Sequence, residues 1–172
     1  TTMLGLSDGI YHLDASEQMR KRPMKPLLDS LISIGVQVDY EGAEGFFPFT
    51  ITGTSRTKNT ITVDIGNSSQ FLSALLMSAP IKPEGLSITL TGMTHALSYV
   101  NITTRMMEQF GCRVSSSEEG SYQVPAGSSY QPQHYQVEPD LSAACYFYAM
   151  APLLGGNVCV NHVHFDSMQG DI

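Results

Sequence analysis

"ITVDIGNSSQFLSALLMSAP" (residues 61–80) and "YQVEPDLSAACYFYAMAPLLGG" (residues 135–156) follow one plan. Each opens on a short strand-like stretch and passes through a polar turn with serine. Each then runs into an apolar helix that closes near a proline, Pro80 or Pro152. The offset between them is about 75 residues. A second pair keeps a similar offset. "GIYHLD" (9–14) leads to "LLDSLISIGVQV" (27–38), and "GLSITLTG" (85–92) leads to "TTRMMEQFGCRV" (103–114). Two helical stripes result: Leu27, Leu28, Leu31, Ile32, and Met106, Met107, Phe110. Each runs out at a glycine, Gly35 or Gly111, the residue type expected just past a helix end.

The repeated unit is therefore strand, helix, strand or strands, helix, strand. Copies run over approximately residues 9–84 and 85–156, and "GGNVCVNHVHF" opens a third within 157–172. "FLSALLMSA" and "AACYFYAMA" are apolar almost all round, so both helices are expected to be buried. The strands are short, rich in Thr, Val and Ile, and interleaved with polar residues, as when one face meets water. Turn-rich stretches such as "EGAEGFFP", "TGTSRTKN" and "PAGSSYQPQ" separate the elements. The expected class is α+β or α/β, with parallel helices inside and sheets outside; α+β is the reading carried forward.

The chain has 172 residues, 42% of them apolar and 15% charged, with net charge -7. A broad nucleic-acid or anionic-membrane surface does not fit that charge. No signal peptide, transit peptide or long apolar span is visible. Cys112, Cys145 and Cys159 are widely spaced and read as buried thiols in a reducing compartment. The chain opens on "TTMLGLSDG" and closes on "SMQGDI", so both ends read as cut from something longer.

Four of the nine basic residues, Arg20, Lys21, Arg22 and Lys25, lie in "SEQMRKRPMK". Pro23 or Pro26 suits the first turn of a helix, which then starts near Arg22. Cations are unfavourable at that end of the macrodipole, unless a bound anion is held there by helix N–H groups and arginine together. The bland alternative places Lys21 and Arg20 in a solvated loop. "DIGNSSQF" (64–71) puts Gly, Asn, two Ser and Gln ahead of an apolar helix. It reads either as a phosphate cradle or as a plain serine cap. Its repeat, "EPDLSAACYF", keeps a cap and loses the hydroxyl and amide cluster, which favours Ser68, Ser69 and Gln70 as functional. Tyr99, unaided, reads as a half-buried aromatic. "HVH" (162–164) would place two imidazoles on one strand face, without the third ligand a metal site needs. "SMQGDI" is turn-like, a helix cap or a hinge.

In order and spacing, "MRKRPMKPLLDSLISIGV", "SSQFLSALLMSAP", "SYVNITTRMMEQFG", "DLSAACYFYAMAPLLGG" and "SMQGDI" resemble the bacterial 5-enolpyruvylshikimate-3-phosphate synthase family over nearly the whole chain. The resemblance implies repeated βαβαββ units in the inverse-barrel domain of the enolpyruvyl transferases. About two of one domain's three repeats are present. It implies transfer of the enolpyruvyl group of phosphoenolpyruvate to the 5-hydroxyl of shikimate 3-phosphate, by addition and elimination through a tetrahedral intermediate, in aromatic amino acid (chorismate) biosynthesis. No cofactor and no metal is implied, and the expected setting is a monomeric cytoplasmic enzyme with no nucleic-acid or membrane partner.

Residue by residue, the resemblance gives Arg22 to phosphoenolpyruvate, Ser68 and Ser69 to the phosphate of shikimate 3-phosphate, Gln70 to both substrates, and Tyr99 to shikimate 3-phosphate. "HALSY" lacks the basic residue and proline the family often carries there; Ser98 is the candidate serine. Arg20 is a further candidate beside Arg22. No catalytic residue is expected within these 172 residues. The family's N-terminal lysine-serine-arginine cluster would precede Thr1, and its catalytic aspartate would follow Ile172. The expectation is a chain inactive alone, with exposed faces that promote self-association. Two alternatives stand beside this reading. One is the sister transferase acting on UDP-N-acetylglucosamine, whose loop cysteine has no counterpart near Arg22. The other is a non-catalytic binding or structural module on the same scaffold.

Overall fold

The computed structural model describes residues 1–66, 68–92, 97–117, 120–164 and 167–169. It divides into two compact units, Thr1–Gln131 and Pro132–Ile172. The first holds α1 (Thr2–Gly5), β1 (Gly9–Leu13), α2 (Glu17–Arg20), α3 (Lys25–Ser33), β2 (Gln37–Tyr40), β3 (Phe49–Gly53) and β4 (Thr60–Asp64). It continues with α4 (Gln70–Ser78), β5 (Leu86–Thr91), α5 (Leu97–Gln109), β6 (Ser115–Ser116) and β7 (Ser121–Val124). Among the described residues of the second unit the one element is α6 (Leu141–Leu154).

Two sheets form. One has the antiparallel order β1-β3-β2, with Tyr11 and Val38 both opposite Ile51. The other has the order β4-β5-β7-β6. There β4 and β5 are parallel, joined through α4, as a crossover connection requires. Alternation decides which faces are buried. In β4, Ile61 and Val63 point inward, whereas Thr60, Thr62 and Asp64 are exposed. In β3, Phe49 and Ile51 are fully buried, each worth about 1.5–3 kcal/mol in apolar burial.

The helices complete that core. Leu27, Leu28, Leu31 and Ile34 of the α3 segment are buried, as are Phe71, Leu72, Leu75 and Leu76 of α4. Ile32, part of the expected α3 stripe, is exposed instead; Ile34 falls on the buried face of the 3.6-residue period. Both glycine stops form. Gly35 and Gly111 adopt positive φ, and the following N–H groups reach back, Val36 to the Leu31 carbonyl and Cys112 to the Met107 carbonyl. Lys82 is 2% exposed. Its ammonium donates to the Thr57 carbonyl (3.1 Å) and hydroxyl (2.6 Å), tying the 54–59 loop to the segment after α4.

In the second unit α6 closes near Pro152 as expected, running to Leu154 and stopping at left-handed Gly155. Other expectations fail there. Leu141 and Ala144 of α6 are buried, but Tyr146 is 77% and Leu153 82% exposed. No strand forms in the described parts of 132–172, so "YQVEP" and residues 156–164 carry no strand; Phe165 lies outside the described residues. A strand needs a hydrogen-bonding neighbour and an apolar helix needs a covering layer, and the described residues of this unit supply neither. His162 takes a positive φ, so the two histidines do not share a strand face. Of the three free thiols only Cys112 is buried; Cys145, on α6, and Cys159 are exposed with the segments that carry them.

Candidate functional site

The basic stretch folds as two short helices with a turn between them. Ser16 caps α2 by accepting from the Met19 N–H. Arg20, in the last turn, forks onto Asp14, with Nε to Oδ1 at 2.9 Å and Nη2 to Oδ2 at 2.6 Å. Its Nε also donates to the Ala15 carbonyl. The guanidinium holds the Asp14 carboxyl below the usual carboxylate range. The next helix starts at Lys25, not near Arg22. Pro26 occupies its first turn, and the Met24 N–H ahead of it is taken by the Gly45 carbonyl. The cation at the unfavourable helix end is thus Lys25, compensated by ion pairs to Glu44 and, at 3.3 Å, to Asp29. These two carboxylates raise its pKa. Arg22 stands ahead of the helix, exposed, and its side chain meets no partner among the described residues. Lys21 is likewise exposed and has no partner among the described residues.

The start of α4 is built differently from an ordinary cap. Ser69 has helical backbone angles (φ -70°, ψ -14°), not the extended ones of a capping residue, and its side chain makes no cap bond. It is 4% exposed. The Ser68 hydroxyl accepts from the Gln70 N–H at 3.2 Å. First-turn N–H groups have no partner within their own helix, so this end can still receive an anion. Asn67 and residues 93–96 lie outside the described residues.

Two cavities adjoin the turn that carries Arg22. One, about 350 Å³, is lined by Met19, Met24, Leu27, Gln70, Phe71 and Met77 among others, and so has Gln70 and Met24 on one wall. The other, about 570 Å³, is lined by Pro23, Lys25 and Asp29 of the α3 segment. Asp64 and Thr91, at the carboxyl ends of parallel β4 and β5, complete its polar side. Neither Asp64 nor Thr91 is a sequence-predicted residue. The available signal is position, because ligands gather at the carboxyl ends of parallel strands.

Ser98 and Tyr99 lie in the first turn of α5, and both are exposed; Tyr99 is 61% exposed rather than half-buried. α5 packs along α4, and Ser73 Oγ and Thr103 Oγ1 meet at 2.9 Å between them.

The start of α6 contrasts with all this. Asp140 caps it by accepting from the Ala143 N–H at 3.0 Å. Gln169, of "SMQGDI", accepts from the Leu141 N–H at 2.9 Å and donates to the Pro139 carbonyl at 2.6 Å. Ser167 and Gln169 also donate to Glu138, and the Ser167 bond first of all holds that carboxyl below its usual range. Gln169 therefore caps a helix that begins 28 residues earlier, while residues 170–172 of the motif lie outside the described residues. Among the described residues no three His, Cys, Asp or Glu side chains gather as metal ligands, and no helix is long and apolar enough to cross a membrane.

The sequence profile of EPSP synthase (3-phosphoshikimate 1-carboxyvinyltransferase) matches residues 1–172. A curated 3-phosphoshikimate 1-carboxyvinyltransferase of Trichormus variabilis is 40% identical over the whole chain, and one of Vibrio cholerae is 41% identical over 170 residues. The chain spans 40% of the length of each. Among solved structures, EPSP synthase from Acinetobacter baumannii superposes with a TM-score of 0.67 at 25% identity, over 87% of this chain and 32% of that one.

Proposed function

The chain belongs to the EPSP synthase family, and from that premise we propose that it forms part of the substrate-binding wall of a 3-phosphoshikimate 1-carboxyvinyltransferase. The reaction moves the enolpyruvyl group of phosphoenolpyruvate onto the 5-hydroxyl of shikimate 3-phosphate and releases phosphate. The observation that carries the reading is an uncompensated cation. Arg20 and Lys25 each have a carboxylate, and Arg22 between them has no partner among the described residues. A guanidinium in that position can grip the carboxylate or phosphate of phosphoenolpyruvate bidentately.

Ser68 and Ser69, with the first-turn N–H groups of α4, receive the phosphate of shikimate 3-phosphate. Gln70 reaches both substrates, and Tyr99, with Ser98 beside it, borders shikimate 3-phosphate from α5. Arg20 is left out of this set because Asp14 occupies its fork. Helix N–H groups add donors without burying further cations, so two polyanions can be held close together. Proton transfer falls to groups outside this chain, so the 172 residues bind without turning over. Residues 9–84 and 85–156 are two copies of one unit and 157–172 the opening of a third, all within one domain of a cytoplasmic, metal-free enzyme.

Calorimetry of the 172-residue chain with shikimate 3-phosphate tests the reading. Binding that is lost in Ser69→Ala, with no product formed when phosphoenolpyruvate is added, is the expected result. Absence of binding, or turnover by the chain alone, overturns it.

A further inference from the structure

We infer that Ser73 and Thr103 are positioning residues that set the distance between the ligand groups at the heads of α4 and α5. The inference rests on the reading of Ser69 and Tyr99 given above. Thr103 Oγ1 donates to the Tyr99 carbonyl at 3.0 Å, one turn back along α5. Its single proton is then committed, so at the 2.9 Å contact with Ser73 the serine hydroxyl is the donor. The Ser73 N–H in turn donates to the Ser69 carbonyl at 3.2 Å. The backbone of Ser69 is thus linked to the backbone of Tyr99 through the covalent frame of Ser73, which bonds Ser69 by its N–H and Thr103 by its hydroxyl, and through the half-buried Thr103 hydroxyl.

Packing alone does not call for hydroxyls here. A threonine that bonds back to the preceding turn is neutral to slightly unfavourable in a helix, and small apolar residues would fill the same space. The hydroxyl pair adds direction. Apolar helix faces tolerate small sliding movements, whereas a relayed hydrogen bond holds one register. A ligand gripped only by α4 is indifferent to that register. A ligand that spans α4 and α5 is not, since donor geometry must hold to a few tenths of an ångström.

The test compares two ligands in four proteins: the unaltered 172-residue chain, Ser73→Ala, Thr103→Val and Thr103→Ser. Affinity for shikimate 3-phosphate is measured by calorimetry, and affinity for inorganic phosphate by competition against it. Ser73→Ala and Thr103→Val are expected to weaken shikimate 3-phosphate about five- to tenfold. Phosphate, which needs α4 alone, changes less than about twofold, and Thr103→Ser, which keeps the hydroxyl, binds like the unaltered chain. If Thr103→Val fails to fold, Ser73→Ala carries the test, because alanine favours the helix. Unchanged affinity for shikimate 3-phosphate in both variants overturns the inference, as does an equal loss for both ligands or a failure of Thr103→Ser to restore binding. If the unaltered chain binds neither ligand, the proposed function falls first and this inference with it.

Discussion

The heads of α4 and α6 follow similar stretches of sequence, yet one is left open and the other is stapled shut. At α4, Ser69 has helical angles and caps nothing, and Ser68 covers one N–H. At α6, the Asp140 backbone is extended (ψ 105°), its carboxylate takes one N–H and Gln169 takes another. The difference is 119° in a single ψ angle, from -14° to 105°, plus one negative charge. A carboxylate cap satisfies the helix from within and repels an incoming phosphate. An uncharged serine head leaves the positive end of the macrodipole for a ligand.

The sharpest way to break this comparison is to close the open head. Ser68→Asp is expected to reduce affinity for shikimate 3-phosphate by about 100-fold or more, since like charges in one site cost several kcal/mol. The same change stabilises α4 by a few tenths to about 1 kcal/mol. Calorimetry reads the first effect and urea unfolding the second; a variant that still binds would show that the anion does not sit at this helix end.

Next in size is Arg22, a cation that has no carboxylate among the described residues. Arg22→Ala should lower affinity for phosphoenolpyruvate, measured with shikimate 3-phosphate present, by about 10- to 100-fold, the worth of a charge-assisted bond. Arg20→Ala should change it less than about twofold, because that side chain serves Asp14. A larger effect at Arg20 than at Arg22 would reverse the assignment.

Opening the closed head is a smaller matter. Asp140→Ala should destabilise α6 by about 1 kcal/mol, seen as lost helicity at moderate urea, with no gain in phosphate binding. Smallest is the acid response. Glu138 has a lowered pKa because Ser167, and more weakly Gln169, hydrogen-bond its carboxylate. Its contribution is complete above the ordinary glutamate pKa and disappears as the pH falls through the lowered value. Helicity should therefore fall slightly further on acidification in the unaltered chain than in Glu138→Gln. Identical acid curves would remove Glu138 from the staple.

What was legible in the chain was local. The interleaving of apolar and polar residues expected of the strands is seen in β4, where Ile61 and Val63 are buried, and two glycines stop two helices where the apolar stripes run out. The family motifs pointed to Arg22 and the serine pair. What stayed hidden depends on segments that meet only after folding. Glu44, 19 residues from Lys25, neutralises the cation at the head of α3. Asp14 claims Arg20, and Ser73 finds Thr103 across 30 residues. Apolar content correctly predicted burial for α4, whose covering elements are present. It failed for α6, because burial belongs to a helix together with its neighbours and not to the helix alone.

Lys82 has a consequence of a different kind. Its ammonium is enclosed on the Thr57 carbonyl and hydroxyl, and burial lowers its pKa. A nucleophilic amine sealed in this way is a built-in clock. Lys21, exposed on the turn after α2, is open to an acylating reagent at all times. Lys82 acylates only when the 54–59 loop lifts away. The rate at which the peptide carrying Lys82 gains an acyl group, read by mass spectrometry, would therefore report how often that loop opens.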